Sequence, residues 1–241
     1  MKYWNSVLQK AKEYVPGEQP ENYDEFLKLN TNENPFPPSQ LVLEKLSKAC
    51  NGALRFYPNA TAHKVRELFA KQNNIKEDEV FVANGSDEVF TLLFRGFIEK
   101  KGKVAFAYPS YSLYYTLAEL NGLDHEKVPL NDDLSYNLNN FLKNDYDMII
   151  ISNPNNPTGS YVSVKEIEIF LTQYKGLLIV DEAYIDFYGG SSLKLIKKYD
   201  NVIVTRSFSK SYSLAGCRIG LALANKDIIR GFMKIKDSYN I

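Results

Sequence analysis

The sequence predicts an α/β fold, with a mainly parallel β-sheet between helices and an extended arm at the N-terminus. Short, nearly continuous apolar runs alternate with longer segments in which apolar residues recur every three or four positions. Strands that are apolar on both faces are typical of parallel sheets covered by helices on both sides. No internal repeat or low-complexity tract interrupts this alternation.

The elements follow one another in a regular order. Residues 14–39 are rich in Pro, Asn and Glu, which predicts an extended arm. Helical spacing is found in "QLVLEKLSKAC", "TAHKVRELFAKQN", "SDEVFTLLFRGFIEK" and "VSVKEIEIFLTQY". Strands are predicted at "EVFVAN", "KVAFAY", "HEKVPL", "MIIIS", "LLIVDE", "NVIVTR" and "RIGLALA". We expect residues 1–39 to form the arm and part of a substrate pocket, and residues 40–241 to form one large domain.

Composition argues against several classes of function. Lysine plus arginine balance aspartate plus glutamate at 29 each, so no overall field favours nucleic acid or an anionic membrane. Cys50 and Cys217 lack the paired spacing of disulfides or zinc sites, which suits a reducing cytoplasm. His63 and His125 lie in unrelated contexts, so we expect no metal centre. No apolar run reaches the length of a membrane span or of a signal-peptide core.

Ligands of parallel sheets bind at the carboxyl ends of the strands, so the residues that follow each strand are the first place to look for chemistry. "EVFVAN" is followed by Gly85, Ser86 and Asp87 at the start of a helix. Gly85 permits close backbone approach, and the free N–H groups of a helix start attract phosphate. An ordinary helix cap by the Ser86 hydroxyl is the alternative, and both interpretations can hold together.

Two further strand ends carry side chains suited to a flat ring. Tyr111 follows "KVAFA" and can stack on a ring face, although a core or rim position is also open for it. Asn156 lies in "SNPNNPTG", a rigid turn that presents its amide as a donor to a phenolate oxygen. A plain proline-rich surface turn is the alternative for this second stretch.

Asp181 and Tyr184 follow the strand "LLIV". A carboxylate in so apolar a setting needs a cationic or hydrogen-bonding partner. A protonated pyridine nitrogen would supply that partner, and the pair would keep the ring cationic and an effective electron sink. Without such a ring, Asp181 would be interpreted as a helix cap.

The stretch "SFSKSYSLAGCRIG" places Lys210 between serines and follows it with Arg218. A solvated loop lysine is the simple interpretation of such a short motif. The alternative is a lysine that forms an imine with an aldehyde cofactor, whose phosphate is held by Ser207, Ser209, backbone N–H groups and Arg218.

Taken together, "SNPNNPTG", "DEAY" and "SFSKSYSLAGCRIG" resemble the class I/II aminotransferases of pyridoxal-phosphate fold type I. The segments "YVPGEQP", "LNTNENPFPPS", "RFYPNATA" and "NGSDE" are similar to those of the histidinol-phosphate aminotransferase branch. The resemblance covers essentially the whole chain. It implies the fold type I large domain, a pyridoxal 5′-phosphate cofactor, and transfer of an amino group from histidinol phosphate to 2-oxoglutarate.

The resemblance also implies roles for individual residues. Lys210 would bind the cofactor and move the proton, with Asp181 at the ring nitrogen and Tyr184 at the ring oxygen. The implied cofactor-binding set is Gly85, Ser86, Asp87, Tyr111, Asn156, Asp181, Tyr184, Ser207, Ser209, Lys210 and Arg218, with Tyr57 reaching the cofactor of a second subunit. Tyr14 and Asn34 would line the substrate pocket. A homodimer with shared active sites follows from the role of Tyr57.

The sequence departs from the family after "KIKDSYNI", where members continue into a small C-terminal domain that carries substrate-clamping arginines. We therefore expect a shortened chain with the cofactor half intact. A threonine-phosphate decarboxylase or an aromatic aminotransferase of the same fold remains open, as does a catalytically dead remnant that only binds cofactor or dimerises. A Rossmann dinucleotide enzyme is disfavoured because no G-x-G-x-x-G follows a strand.

Overall fold

A seven-stranded sheet forms the centre of the computed structural model, which describes residues 3–10, 18, 22 and 25–240. The strands are β1 (Val80–Asn84), β2 (Lys103–Tyr108), β3 (Asp124–Pro129), β4 (Met148–Ser152), β5 (Leu177–Asp181), β6 (Val202–Ser207) and β7 (Ile219–Ala224). Their order across the sheet is β1-β7-β6-β5-β4-β2-β3. All neighbouring strands pair in parallel except β7, which is antiparallel to both β1 and β6. The predicted α/β class with a mainly parallel sheet is confirmed.

Helices cover both faces of the sheet, as the apolar strands require. The described helices are α1 (Ser6–Lys10), α2 (Gln40–Ala49), α3 (His63–Asn73), α4 (Ser86–Gly96), α5 (Leu113–Leu120), α6 (Val164–Gln173) and α7 (Lys226–Ile235). Side chains of α3 and α6 pack into the core on one face. Those of α4, α5 and α7 pack on the other. No helix of the described segments is long and apolar enough to cross a bilayer.

Alternation along β4 shows how one strand serves both layers. Ile149 and Ile151 belong to the core on the α3 and α6 side, while Met148 and Ile150 belong to the core on the α4, α5 and α7 side. All four side chains are fully buried. Because successive strand residues point to opposite faces, a strand covered on both sides must be apolar throughout.

Strand direction decides where polar side chains meet. Strands β2, β4, β5 and β6 run in parallel, and β1 runs the same way because β7 is antiparallel to both β1 and β6. Their carboxyl ends therefore share one edge of the sheet. β7 begins at that same edge, where Ile219 pairs with Asn84 and Gly220 pairs with Ser207. The residue just before β7 is consequently brought to the ends of the other strands.

Candidate functional site

A cavity of about 640 Å³ opens at the carboxyl edge of the sheet. It lies where the predicted strand ends converge, so loops that are far apart in sequence form one wall. Its lining residues are Thr31, Asn32, Ser86, Asp87, Ser110, Tyr111, Ser112, Ser152, Asn156, Pro157, Asp181, Ala183, Tyr184, Ser207, Ser209, Lys210 and Arg218.

The start of α4 forms one end of the cavity. Gly85 precedes the helix at φ 83°, and no side chain caps the first turn, so the interpretation of Ser86 as a capping hydroxyl is wrong. A glycine is required here because this φ is rare for other residues, and a Cβ would lie 2.4 Å from Nη2 of Arg218. The Asp87 carboxylate lies 3.5 Å from the same guanidinium and accepts a 3.3 Å hydrogen bond from the Tyr111 hydroxyl.

Arg218 reaches this end because it immediately precedes the antiparallel strand β7. Its backbone is left-handed at φ 48°, which turns the chain from the serine-rich loop into the strand. Gly220 lies directly against the start of α4, where a Cβ would come within 2.2 Å of the Ser86 backbone nitrogen. The "RIG" sequence thus lets a guanidinium, a helix start and serine hydroxyls face the same space, an arrangement suited to a phosphate.

The Asp181 carboxylate lies deep in the cavity, and the residue is only 5% exposed. It accepts hydrogen bonds from the hydroxyls of Tyr114 at 2.5 Å and Thr205 at 2.8 Å, and from the Ala183 amide at 3.2 Å. Burial raises the pKa of this carboxyl, and these hydrogen bonds lower it in part. All three donors are neutral, so a cationic group inside the cavity would further stabilise the ionised Asp181 carboxylate.

Lys210 enters from the loop after β6, and its Nζ donates to the Thr31 carbonyl oxygen at 2.7 Å. Burial lowers the pKa of this amine, and the nearby positive charge of Arg218 acts in the same direction. The carboxylates of Glu33, Asp87 and Asp181 oppose that change. A lysine with a lowered pKa has more neutral amine available as nucleophile or base.

Asn156 and Tyr184 line another part of the same cavity, where both contact Asn32. The Asn32 amide nitrogen donates to the Tyr184 hydroxyl at 3.0 Å and to Oδ1 of Asn156 at 3.4 Å. Burial raises the pKa of the Tyr184 phenol. The hydroxyl is therefore protonated at neutral pH and can donate a hydrogen bond.

A buried ion pair between Glu182 and Arg206 connects to the loop that carries Lys210. Glu182 is buried and its carboxylate lies 3.0 Å from Nε of Arg206. The same guanidinium lies 2.9 Å from Asp186, which in turn accepts a 2.6 Å hydrogen bond from the Ser211 hydroxyl. The residue next to Lys210 is therefore tied to the loop that follows β5.

Most predicted cofactor-binding residues line this one cavity. Gly85 is not among the lining residues, but it lies against Arg218, which is. Tyr57 does not line the cavity. It is 79% exposed and stacks on Tyr239, with the ring centroids 4.4 Å apart. Asn34 donates to the Lys210 carbonyl oxygen at 3.0 Å, and Tyr14 lies outside the described residues.

Sequence reasoning missed several contributors to the site, among them Tyr114, Thr205 and Asn32. Tyr114 lies three residues after Tyr111, and this spacing could have suggested a shared direction. Thr205 faces Asp181 only through the register of β5 and β6, which the sequence does not reveal. Asn32 was inside a quoted motif, but nothing in its spacing indicated the contact with Tyr184 across 152 residues.

Comparison with known proteins places this geometry in a family. The profile of the "Aminotransferase class I and II" family matches residues 24–241. A histidinol-phosphate aminotransferase of Clostridium botulinum is 45% identical over 240 residues, covering 99% of this chain and 67% of that protein. The chain thus spans about two thirds of the length of the curated relatives it matches.

Solved structures agree on the fold. The histidinol-phosphate aminotransferase of Sinorhizobium meliloti, solved in complex with pyridoxal-5′-phosphate, superposes with a TM-score of 0.87 at 24% identity, over 99% of this chain and 67% of that one. The L-threonine-O-3-phosphate decarboxylase of Porphyromonas gingivalis superposes with a TM-score of 0.71 at 24% identity, over 85% and 62%. At such identities the likeness shows fold alone, and the family follows from the profile and the curated relative. The expected resemblance is confirmed: the chain belongs to the class I and II aminotransferases.

Proposed function

We propose that this chain binds pyridoxal 5′-phosphate and carries the cofactor chemistry of a histidinol-phosphate:2-oxoglutarate aminotransferase. The observation that carries the proposal is the placing of Lys210, Asp181 and Arg218 in one cavity, each with a different chemical environment. The 45% identity to a histidinol-phosphate aminotransferase supports the choice of amino donor.

The residues present fit this cofactor. Asp181 is a buried carboxylate whose three donors are neutral, so a protonated ring nitrogen would supply the missing charge. The cofactor's phosphate would be held by Arg218, the α4 start and the hydroxyls of Ser207 and Ser209. Tyr111 supplies an aromatic face beside them.

When bound, pyridoxal phosphate supplies an electron sink for a carbanion at the substrate's Cα. The Asp181 carboxylate would stabilise a positive charge at the ring nitrogen of the bound cofactor. Lys210 would hold the cofactor through Nζ, and its lowered pKa leaves a neutral amine that can take the proton from Cα and return it. Asn156 and Tyr184 would donate to the ring oxygen of the bound cofactor. Asn34 positions the lysine loop by donating to the Lys210 carbonyl oxygen.

We also propose a homodimer, in which Tyr57 reaches the second subunit's cofactor. Support comes from exposed apolar surface: α2 buries no side chain, and the adjoining stretch leaves large apolar side chains open. The exposed residues of this surface are Leu41, Leu43, Leu46, Leu54, Phe56 and Tyr57. Light scattering after size exclusion tests it, and a monomer at micromolar concentration would refute it.

The division into an arm over residues 1–39 and a cofactor-binding domain over 40–241 belongs to the same proposal. Residues of the arm, Thr31 and Asn32, reach the cavity, which supports a contribution of this segment to the substrate pocket. A cytoplasmic location is proposed on the two free cysteines alone.

The test begins with the purified chain and pyridoxal phosphate. We expect a visible band of lysine-linked cofactor, and borohydride reduction should fix the cofactor to a peptide containing Lys210. The Lys210→Ala variant should lose both, while Lys198→Ala, a surface lysine paired with Glu168, should lose neither. An unchanged band in Lys210→Ala would contradict the assignment.

Addition of substrates then separates the alternatives. Conversion of the band by histidinol phosphate and its return with 2-oxoglutarate is the expected result. Conversion by aromatic amino acids alone would identify an aromatic aminotransferase, and carbon dioxide release from threonine phosphate would identify a decarboxylase. A stable band that no amine converts would identify a cofactor-binding remnant.

A further inference from the structure

Residues 30–34 form a short strap across the cavity, defined here by its contacts with the lysine loop. Thr31 accepts from Nζ of Lys210 at 2.7 Å, and Asn34 donates to the Lys210 carbonyl oxygen at 3.0 Å. Thr31 and Asn32 have φ of 58° and 51°, a left-handed conformation that is uncommon for non-glycine residues and unfavourable for a β-branched one. The surrounding contacts must therefore hold this backbone in place, as is typical of strained segments at functional sites.

The strap places the Asn32 side chain against Asn156 and Tyr184. Nδ2 of Asn32 lies 3.0 Å from the Tyr184 hydroxyl and 3.4 Å from Oδ1 of Asn156. A side-chain amide nitrogen has two hydrogens and accepts nothing, so it can act only as donor in both contacts. Asn32 is a residue to which neither composition nor the family motifs assigned a role.

These two contacts fix the direction of the partner groups. Because Oδ1 of Asn156 accepts from Asn32, the Asn156 amide presents its own NH₂ on the other side. Because the Tyr184 oxygen accepts from Asn32, its hydroxyl hydrogen is left to donate elsewhere. Asn156 and Tyr184 both line the cavity, so both of these donors are available to a ligand there.

We propose that Asn32 is a positioning residue: it orients Asn156 and Tyr184 as donors to one oxygen of the bound ring. The inference rests on the proposed function, because that oxygen belongs to pyridoxal phosphate. Asn32 acts through two other side chains and touches no reacting atom in this arrangement. Its effect should therefore appear in the titration of the lysine-linked cofactor as well as in turnover.

The first test is Asn32→Gly in the full chain. Glycine adopts the left-handed backbone without strain, so the strap keeps its path while the amide is lost. Two donors aligned on the ring oxygen stabilise its negative charge and hold the pKa of the lysine–cofactor linkage down. We expect the linkage pKa to rise by about one unit and pyridoxal phosphate to bind up to about tenfold more weakly, the range of one or two neutral hydrogen bonds.

Asn32→Asp removes both donated hydrogen bonds at nearly constant shape. Aspartate has the same shape and also tolerates the left-handed region, but its carboxylate only accepts. Tyr184 would then donate to it and be withdrawn from the ring oxygen, and the added negative charge acts in the same direction. The linkage pKa should therefore rise at least as much as in Asn32→Gly. Asn74→Asp is the matched control, since Asn74 also has a left-handed backbone, at φ 54°, and is not among the cavity-lining residues.

A double variant distinguishes positioning from a general loss of structure. In the Tyr184→Phe background the Tyr184 hydroxyl is already absent, so only Asn156 is left for Asn32 to orient. The rise in the linkage pKa caused by Asn32→Gly should therefore be much smaller there than in the wild-type chain. Full additivity of the two shifts, or an unchanged linkage pKa in Asn32→Gly, would overturn the inference. Absence of a lysine-linked band in the wild-type chain would instead refute the proposed function and this inference with it.

Discussion

The burial of Asp181 predicts that the contribution of this carboxyl group to the stability of the cofactor-free protein falls as the pH rises from acidic to neutral. Burial raises the pKa of this group above its ordinary value of 3.8, the value expected in the unfolded chain. Between the two pKa values the folded state holds a proton that the unfolded state has released. The contribution of this group to stability is therefore fully present below pH 3.8 and is lost as the pH rises through the folded pKa.

The magnitude follows from the number of protons involved. One group that differs fully in protonation changes the free energy of unfolding by about 1.4 kcal/mol per pH unit. Asn at position 181 has nearly the same shape and cannot titrate, and the Tyr114 and Thr205 hydroxyls can donate to or accept from its amide. The stability of wild type relative to Asp181→Asn should therefore fall by up to about 1.4 kcal/mol per pH unit above pH ~4.

Urea unfolding of both cofactor-free proteins between pH 4.5 and pH 8 measures this difference. Gly216→Ala is a suitable control, because a Cβ at Gly216 meets nothing within 4 Å and the substitution changes no titratable group. Its stability should run parallel to that of wild type. Parallel curves for wild type and Asp181→Asn would refute the reasoning, since they would mean that the carboxyl titrates alike when folded and unfolded.

Three other substitutions test the packing around the site. Tyr114→Phe removes a donor to the buried carboxylate and should lower the free energy of unfolding by about 1.5–3 kcal/mol at pH 7 in urea titration; a loss under ~0.5 kcal/mol would contradict the role of that bond. Arg206→Met leaves Glu182 buried without its cation and should cost about 3–5 kcal/mol, seen as a fall in Tm, and adding Glu182→Gln should restore part of it. Gly220→Ala forces a Cβ against the start of α4 and should lower both stability and pyridoxal-phosphate affinity, whereas Gly216→Ala, with nothing within 4 Å, should change neither.

Several parts of the fold were predictable because they depend on local chemistry. Six of the seven strands could be located as apolar runs, since a strand buried on both faces must be apolar along its length. The edge strand β3 was also located, although most of its residues are polar and only Val128 is buried. The helices α1, α5 and α7 were not identified. α5 has only eight residues, and such a short segment carries a weak periodic signal. The antiparallel direction of β7 also could not be predicted, because pairing direction is decided between strands that are distant in sequence.

The chemistry at each strand end could likewise be named from the residues that follow it. Lys210, Asp181 and Arg218 stood at positions where a parallel sheet gathers its ligands, so one cavity was the natural expectation. The helix cap at Ser86 was assigned wrongly, because residue preference alone does not show that Gly85 takes the cap position with φ 83°. A positive φ at that point is a property of the turn and of the Arg218 side chain packed beside it.

The fold class, the family and the set of residues at the strand ends could be read from the sequence alone, because each depends on composition and order along the chain. Tertiary structure decided which groups touch: Tyr114 and Thr205 on Asp181, and Asn32 on Tyr184. It also decided the pKa directions, since burial is the leading cause for both Asp181 and Lys210. Burial and hydrogen-bond direction arise only when distant segments pack together, and no single stretch of the sequence contains them.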